Sequence, residues 1–381
     1  MLRAGPGGAH RASAADGTAI CSAWRPGPDT PCEALDAVNG PVDALLESFL
    51  ADRVAELAAM DPMLDGIGRE VAGLVRAGGK RLRPAFVYWG YRATGRGHRD
   101  ELYAPAAAVE LLHTFALIHD DVMDRSARRR GRPAVHEALA ATHGREGLRG
   151  DAGWFGVGGA ILAGDLAFVW ADQLFDGADL PPEAVDRARR VFTELRVEVM
   201  AGQYLDLRLA GAVSASQQDS LRVALLKSGR YTVTRPLQLG AALGGGAPGL
   251  AAALPVYGDA IGLAFQLRDD VLGLFGDPAA TGKGALDDLR EGKRTLLMLR
   301  ALELAGPRDH SELVRILDTP GVIEADAERA REIVLGCGAL SSVERLVDDS
   351  QQQARRALAG VLSPAREALE DLADLAVFRV T

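Results

Sequence analysis

The chain has 381 residues, 48% of them hydrophobic and 25% charged, with a formal net charge of −9. That hydrophobic share excludes a disordered chain, and Gly 44 with Pro 18 stays below the level of low-complexity sequence. The acidic balance argues against a nucleic-acid partner, which a basic domain would announce.

Residues 1–40 stand apart. They are Gly, Pro, Ala, Ser and Thr with almost no apolar periodicity, so they predict a flexible tail. Trp24, alone among small polar residues, is the anchor that a docking segment would use. No basic segment followed by an apolar core opens the chain, so no secretory signal is expected. Cys21, Cys32 and Cys337 show no CxxC spacing, and a cytoplasmic location follows as the default expectation.

From Pro41 onward the pattern is helical. In Asp43–Met60, Leu45, Phe49, Val54 and Leu57 recur at spacings of three to five. Helices are likewise predicted over Tyr103–Asp124, Pro182–Leu209, Ser216–Ala242, Gly249–Phe275, Thr295–Ala305 and Ile323–Leu335, with a last amphipathic run over Gln351–Asp374. The longest apolar stretch, Trp154–Trp170, carries Asp165 and several glycines and falls short of a clean membrane span. Gly156, Gly158 and Gly159 follow no strand, so they read as a loop leading into a helix and not as a dinucleotide site. Aromatic residues are only 5%, β-branched alternation is scarce and no βαβ rhythm appears. The expected fold is all-α, with residues 41–381 forming one large helical domain.

Four charged clusters punctuate these helices. His119-Asp120-Asp121-Val122-Met123-Asp124 ends an apolar helix. Asp120 and Asp124, at i and i+4, share a face about one turn apart. Carboxylates at a helix C-terminus oppose the macrodipole and repel one another, so a cation between them is the functional reading. Hard oxygens in a short row suit Mg²⁺, which shares its remaining positions with phosphate oxygens. Five arginines follow in Arg125–Arg132, and their forked donors match phosphate geometry. Gly78-Gly79-Lys80-Arg81-Leu82-Arg83-Pro84 adds a second basic cluster. Phe265-Gln266-Leu267-Arg268-Asp269-Asp270 ends a second apolar helix and precedes Thr281-Gly282-Lys283, Asp287-Asp288 and Gly292-Lys293. In outline it is a second metal-and-phosphate half-site.

The ordered set GGKRLRP, ELLHTFALIHDDVMD, RRGRP, Gly164-Asp165, Gly202-Gln203, Lys227, FQLRDD and TGK…DLREGKRT resembles the trans-isoprenyl diphosphate synthases, the polyprenyl synthetases. The resemblance covers about residues 41–380. It implies a helical bundle around a central apolar cavity and a prenyltransferase that condenses isopentenyl diphosphate with allylic diphosphates. It implies Mg²⁺, three ions per site, with Asp120, Asp124 and Asp269 as ligands, Asp121 supporting them and Asp270 beside the last. Lys80, Arg83, His113 and Arg130 resemble the isopentenyl diphosphate pocket. Arg129, Lys227, Gln266, Lys283 and Lys293 resemble the allylic diphosphate clamp, and Ser228 stands where the family often has Thr. The family is mostly dimeric, so a homodimer is expected.

The second acidic motif departs from a full DDxxD: its third place is Gly273, with Asp277 further on. This loosely resembles the second metal motif of terpene cyclases, but cyclases have no use for the Lys80/Arg83/His113 pocket. A non-catalytic partner subunit would have lost motifs that this chain keeps. Phe115 lies five residues before Asp120, about 1.4 turns or roughly 7.5 Å along the helix. A ring there would form a floor under the growing prenyl tail, which in the family resembles synthases of geranylgeranyl diphosphate. Farnesyl diphosphate or a longer product is the alternative. Hydroxyls of Ser228 and Thr232 and the amide of Gln203 are further candidates, facing the carbocation.

Overall fold

The computed structural model describes residues 32–212, 215–276, 287–290, 292–319 and 321–378. Within them the chain is helical, apart from one very short hairpin. The all-α expectation therefore holds. The first helix, α1 (Glu33–Met60), begins eight residues before the expected end of the tail. Leu35, Val38, Val42, Leu46 and Leu50 are all buried and form one stripe at spacings of three and four. Pro41 conceals this in the sequence because it cannot donate to Ala37. In the fold Pro41 is exposed, and the Tyr103 hydroxyl donates to the Ala37 carbonyl at 3.1 Å. Trp24 and the rest of residues 1–31 lie outside the described residues.

Helix α2 (Asp65–Arg76) leads into the glycine loop before α3 (Leu82–Arg92). Gly78, Gly79 and Arg81 all have positive φ, 93°, 151° and 51°. A left-handed arginine is costly unless its side chain is fixed. Arg81 is 6% exposed. Its guanidinium donates to Glu110 at 2.6 Å, Asp43 at 2.8 Å and the Val75 carbonyl at 2.9 Å. The loop that presents Lys80 and Arg83 is thus locked from behind.

Helix α4 (Tyr103–Met123) runs through the core, with Pro105, Ala106, Ala107, Ala108, Leu111 and Leu112 all buried. After it come strands β1 (Arg128–Arg129) and β2 (Arg132–Pro133), paired antiparallel. Their two-residue turn puts both Arg130 (φ 51°) and Gly131 (φ 74°) in the left-handed region, as a type I′ hairpin requires.

Helices α5 (Val135–Glu146) and α6 (Ala152–Asp176) follow. Gly156, Gly158 and Gly159 lie inside α6, which corrects the loop expectation. Asp151 caps the helix by accepting from Trp154 N at 2.7 Å. Gly156 and Gly159 serve packing, since a Cβ would sit 2.2 Å from the His136 carbonyl oxygen and 2.6 Å from Leu139 Cδ1, and so does Gly164, 2.2 Å from the His119 ring; Gly158 faces open space.

Helix α7 (Pro182–Ala210) and α8 (Gln217–Val223) precede a π-helical segment, Ala224–Thr234, which continues into α9 (Arg235–Gly244). The expected single helix over residues 216–242 is therefore three pieces. Helix α10 (Pro248–Phe275) spans both hydrophobic clusters. Its Tyr257, Ala260 and Ile261 join the first, and its Ala264, Leu267, Val271 and Leu274 join the second. The second cluster is completed by α11 (Leu296–Leu304), α12 (Pro307–Asp318), α13 (Glu324–Gly336) and α14 (Ala339–Ala357). The last expected run breaks at Gly360 and Pro364 before α15 (Ala365–Val377), since Pro364 has no N–H to continue a helix.

By length and composition three helical segments could cross a membrane: Asp100–Met123, Ala152–Asp176 and Pro248–Phe275. The second contains the stretch that sequence reading placed below that limit. Its apolar window is only 28% buried, leaving Trp154, Leu162 and Val169 exposed, with Val197 exposed on α7.

Candidate active site

One cavity of about 940 Å³ opens among α3, α4, α7, the π segment and α10. Lys80, Arg83, His113, Phe115, Asp120, Arg129, Arg130, Lys227, Ser228, Gln266, Asp269 and Lys293 all line it. Residues as far apart as Lys80 and Lys293 are therefore brought together. Lys283 and Asp277 lie outside the described residues.

The acidic side starts at the end of α4. Lys227 Nζ is 3.2 Å from Asp120 Oδ1 and 2.6 Å from Asp206 Oδ2. Burial works against the Lys227 charge, but Asp120 and Asp206 outweigh it and raise its pKa. Asp124 is raised by burial and by Asp120, and Lys293 Nζ approaches it at 3.4 Å. Across the cavity, α10 presents Asp269 and Asp270, and Gln266 donates to Asp270 at 2.7 Å.

Asp121 has a different place. It is 1% exposed and accepts from Arg129 Nε at 2.8 Å and from Nη2. It holds Arg129 from behind and does not line the cavity, so its support of the site runs through that arginine. The helix period explains this: one residue after Asp120 the side chain points about 100° away. Thr232 also has a different place. It is fully buried, and its hydroxyl accepts from Arg83 Nη2 at 2.8 Å instead of facing the cavity.

The basic side gathers Lys80, Arg83 and Arg130 around His113. Burial lowers the Arg130 pKa, and Arg81, Arg83 and Arg129 lower it further against the pull of Glu110. His113 is held well below its ordinary range by burial and then by Arg83, Arg130, Arg129 and Arg81. The Arg83 Nε is buried without a hydrogen-bond partner among the described residues. Cations this crowded suit a multiply charged anion.

Sequence reading missed Asp206 and Tyr231. Asp206 is i+4 from Gly202 and i+3 from Gln203 on α7, and that spacing was its signal. Gly202 itself allows the close approach of the π segment, since a Cβ there would sit 2.3 Å from the Lys227 backbone N. Tyr231 follows Lys227 by four residues, which puts both on one helix face, and that spacing was its signal. Arg268, inside the second acidic motif, is structural: it is 3% exposed and donates to the Val377 carbonyl at 2.9 Å.

Among the described residues no three His, Cys, Asp or Glu side chains form a closed metal cage. The donor set is open instead, with the Asp120 carboxylate on one wall and Asp269 on the other, while Asp124 does not line the cavity and sits beside Lys293. The Lys227 and Lys293 ammonium groups already sit beside two of them as cations. Such a set fits Mg²⁺, which takes a few carboxylates and completes its shell with water and phosphate.

Residues 67–334 match the polyprenyl synthetase family. The chain belongs to the polyprenyl synthetase family. Polyprenyl synthetases are prenyltransferases, and this chain is an enzyme of that class. It is 34% identical over 334 residues to a short chain isoprenyl diphosphate synthase of Methanothermobacter thermautotrophicus, covering 87% of this chain and 96% of that one. It is 33% identical over 314 residues to a geranylfarnesyl diphosphate synthase of Aeropyrum pernix, covering 81% and 92%. The crystal structure of a geranylgeranyl pyrophosphate synthase from Corynebacterium glutamicum, complexed with isoprenyl diphosphate and magnesium, superposes with a TM-score of 0.84. It shares 35% sequence identity, and the match covers 91% of this chain and 98% of that one.

Proposed function

We propose that this polyprenyl synthetase condenses isopentenyl diphosphate with allylic diphosphates and releases geranylgeranyl diphosphate. The observation that carries the reading is the division of one cavity into two anion sites. Asp120, Asp124 and Asp269, with Lys227 and Lys293, form the side for the allylic diphosphate. Lys80, Arg83, His113 and Arg130 form a predominantly basic pocket for isopentenyl diphosphate, with Glu110 beside them paired to Arg81. A terpene cyclase binds one diphosphate and leaves the second pocket without a use.

The chemistry follows from these residues. Arg129, held by Asp121, and Lys227 stabilise the charge that develops on the departing diphosphate. When bound, Mg²⁺, three ions per site in this reading, supplies the remaining neutralisation of that leaving group. Lys80, Arg83 and Arg130 place the isopentenyl double bond beside the allylic carbon, and the released diphosphate accepts the proton lost after bond formation. The Gln203 amide and Ser228 hydroxyl line the cavity and turn dipoles toward the cation. Apolar walls, including Phe115 and Val199, keep water from trapping it.

Incubation of the enzyme with Mg²⁺, isopentenyl diphosphate and each allylic primer in turn, followed by mass analysis, is expected to yield mainly the C20 diphosphate. Cyclic hydrocarbons from an allylic diphosphate alone would overturn the reading. The geranylfarnesyl synthase relative makes a longer product the specific competitor.

The exposed apolar side chains Trp154, Leu162, Val169 and Val197 support a second copy of the chain as the cover of the α6–α7 face. Sedimentation at micromolar concentration is expected to report twice the 40.2 kDa chain mass. A monomer that turns over normally would remove that part of the proposal. A cytoplasmic location belongs to the same reading.

A further inference from the structure

The basic pocket contains a neutral histidine whose two ring nitrogens are not equivalent. His113 Nδ1 lies 2.9 Å from the Tyr231 hydroxyl, joining α4 to the π segment. Tyr231 is 3% exposed, and burial raises its pKa, so the phenol keeps its hydrogen. That hydrogen needs an acceptor. The nearest cation cannot supply one: Arg83 stacks over the Tyr231 ring at 4.5 Å, and a guanidinium only donates. The acceptor is therefore His113 Nδ1. The imidazole is kept neutral by burial and by the surrounding arginines, and a neutral imidazole carries one N–H. With Nδ1 accepting, the hydrogen is on Nε2.

We infer that Tyr231 is a positioning residue that locks His113 as the Nε2–H tautomer and so gives the isopentenyl diphosphate pocket its donor. The inference rests on the assignment of His113 to that pocket, made above. The opposite tautomer would strand the phenolic hydrogen and turn a lone pair toward an anion. Arg83 helps to fix the arrangement, since its bond to Thr232 at 2.8 Å and its stacking on Tyr231 hold the phenol in place. Among the described residues, the hydrogen bonds of His113, Tyr231 and Arg83 do not reach the acidic side of the cavity.

The test uses the full-length enzyme. In selectively ¹⁵N-histidine-labelled protein, the His113 resonances are identified by their loss in His113→Gln. They are expected to show the Nε2–H tautomer in the parent enzyme and a mixture in Tyr231→Phe. An Nδ1–H tautomer in the parent overturns the inference without any variant. Steady-state kinetics provide the second arm. Tyr231→Phe keeps the ring under Arg83 and is expected to raise KM for isopentenyl diphosphate by about 3- to 10-fold, the worth of one hydrogen bond. KM for the allylic primer and kcat are expected to stay close to the parent values. Equal rises in both KM values would mark a general structural defect and overturn the inference. In a His113→Gln background, Tyr231→Phe is expected to add nothing, and a further rise overturns it. If His113→Gln raises KM for isopentenyl diphosphate and Tyr231→Phe does not, the pocket stands and the Tyr231 role falls. If His113→Gln leaves that KM unchanged, the pocket assignment itself falls and takes the inference with it.

Discussion

Asp120→Ala is expected to lower kcat by about 10³-fold or more, the cost of removing a main electrostatic element of the leaving-group site, while the thermal midpoint changes little. The neighbouring geometry supplies both halves of this expectation. Asp120, at the end of α4, lines the cavity and meets Lys227 at 3.2 Å. Its loss does not strand a buried cation, because Lys227 keeps Asp206 at 2.6 Å and Arg129 keeps Asp121 at 2.8 Å. Weaker Mg²⁺ binding also loosens the hold on the allylic diphosphate, so its KM is expected to rise and excess Mg²⁺ to recover part of the loss. Rapid-quench measurement of diphosphate release separates the two effects. A variant with near-normal turnover in Mg²⁺ would remove Asp120 from the metal-binding role. Asp121→Ala should behave differently, since it frees a buried arginine. It is expected to lower the thermal midpoint as well as activity.

The acidic and basic clusters were legible in the sequence because each is a short local pattern at a helix end. An i, i+4 carboxylate pair shares a face whatever the tertiary structure, and a glycine-rich basic loop needs no distant partner to be noticed. What escaped was set by long-range contacts. Tyr103 satisfies the carbonyl that Pro41 leaves bare, so the helix begins at Glu33. Tyr231 meets His113 and Thr232 meets Arg83, partners 118 and 149 positions away that local spacing cannot anticipate. Gly156 and Gly159 look like a loop in sequence and are points where α6 closes on α5, as Gly164 is for α4. The net charge of −9 describes the whole chain and not the cavity. Lys80, Arg83, Arg129 and Arg130 concentrate positive charge there, in a protein that is acidic overall.

Phe115→Ala is expected to shift the main product to chains at least one C5 unit longer, with kcat for the first condensation retained. The ring is 8% exposed and lines the cavity about 1.4 turns from Asp120. A tail growing from the carboxylates along α4 meets it directly. The ring is also braced. It packs edge-on against Phe168 at 5.0 Å and His119 at 4.8 Å. Arg196 lies over Phe168 at 5.2 Å and is held by Asp172 at 2.7 Å. A floor supported from both sides cannot swing aside as the tail lengthens, so removing it, and not loosening it, is the effective change. Truncation costs stability by about 3 kcal/mol, the lower end for a buried phenylalanine, because the ring borders open space. Product mass spectrometry at a fixed substrate ratio decides the matter. An unchanged product distribution in a folded, active variant would mean that Phe115 is only packing, and that the length limit lies deeper in the cavity.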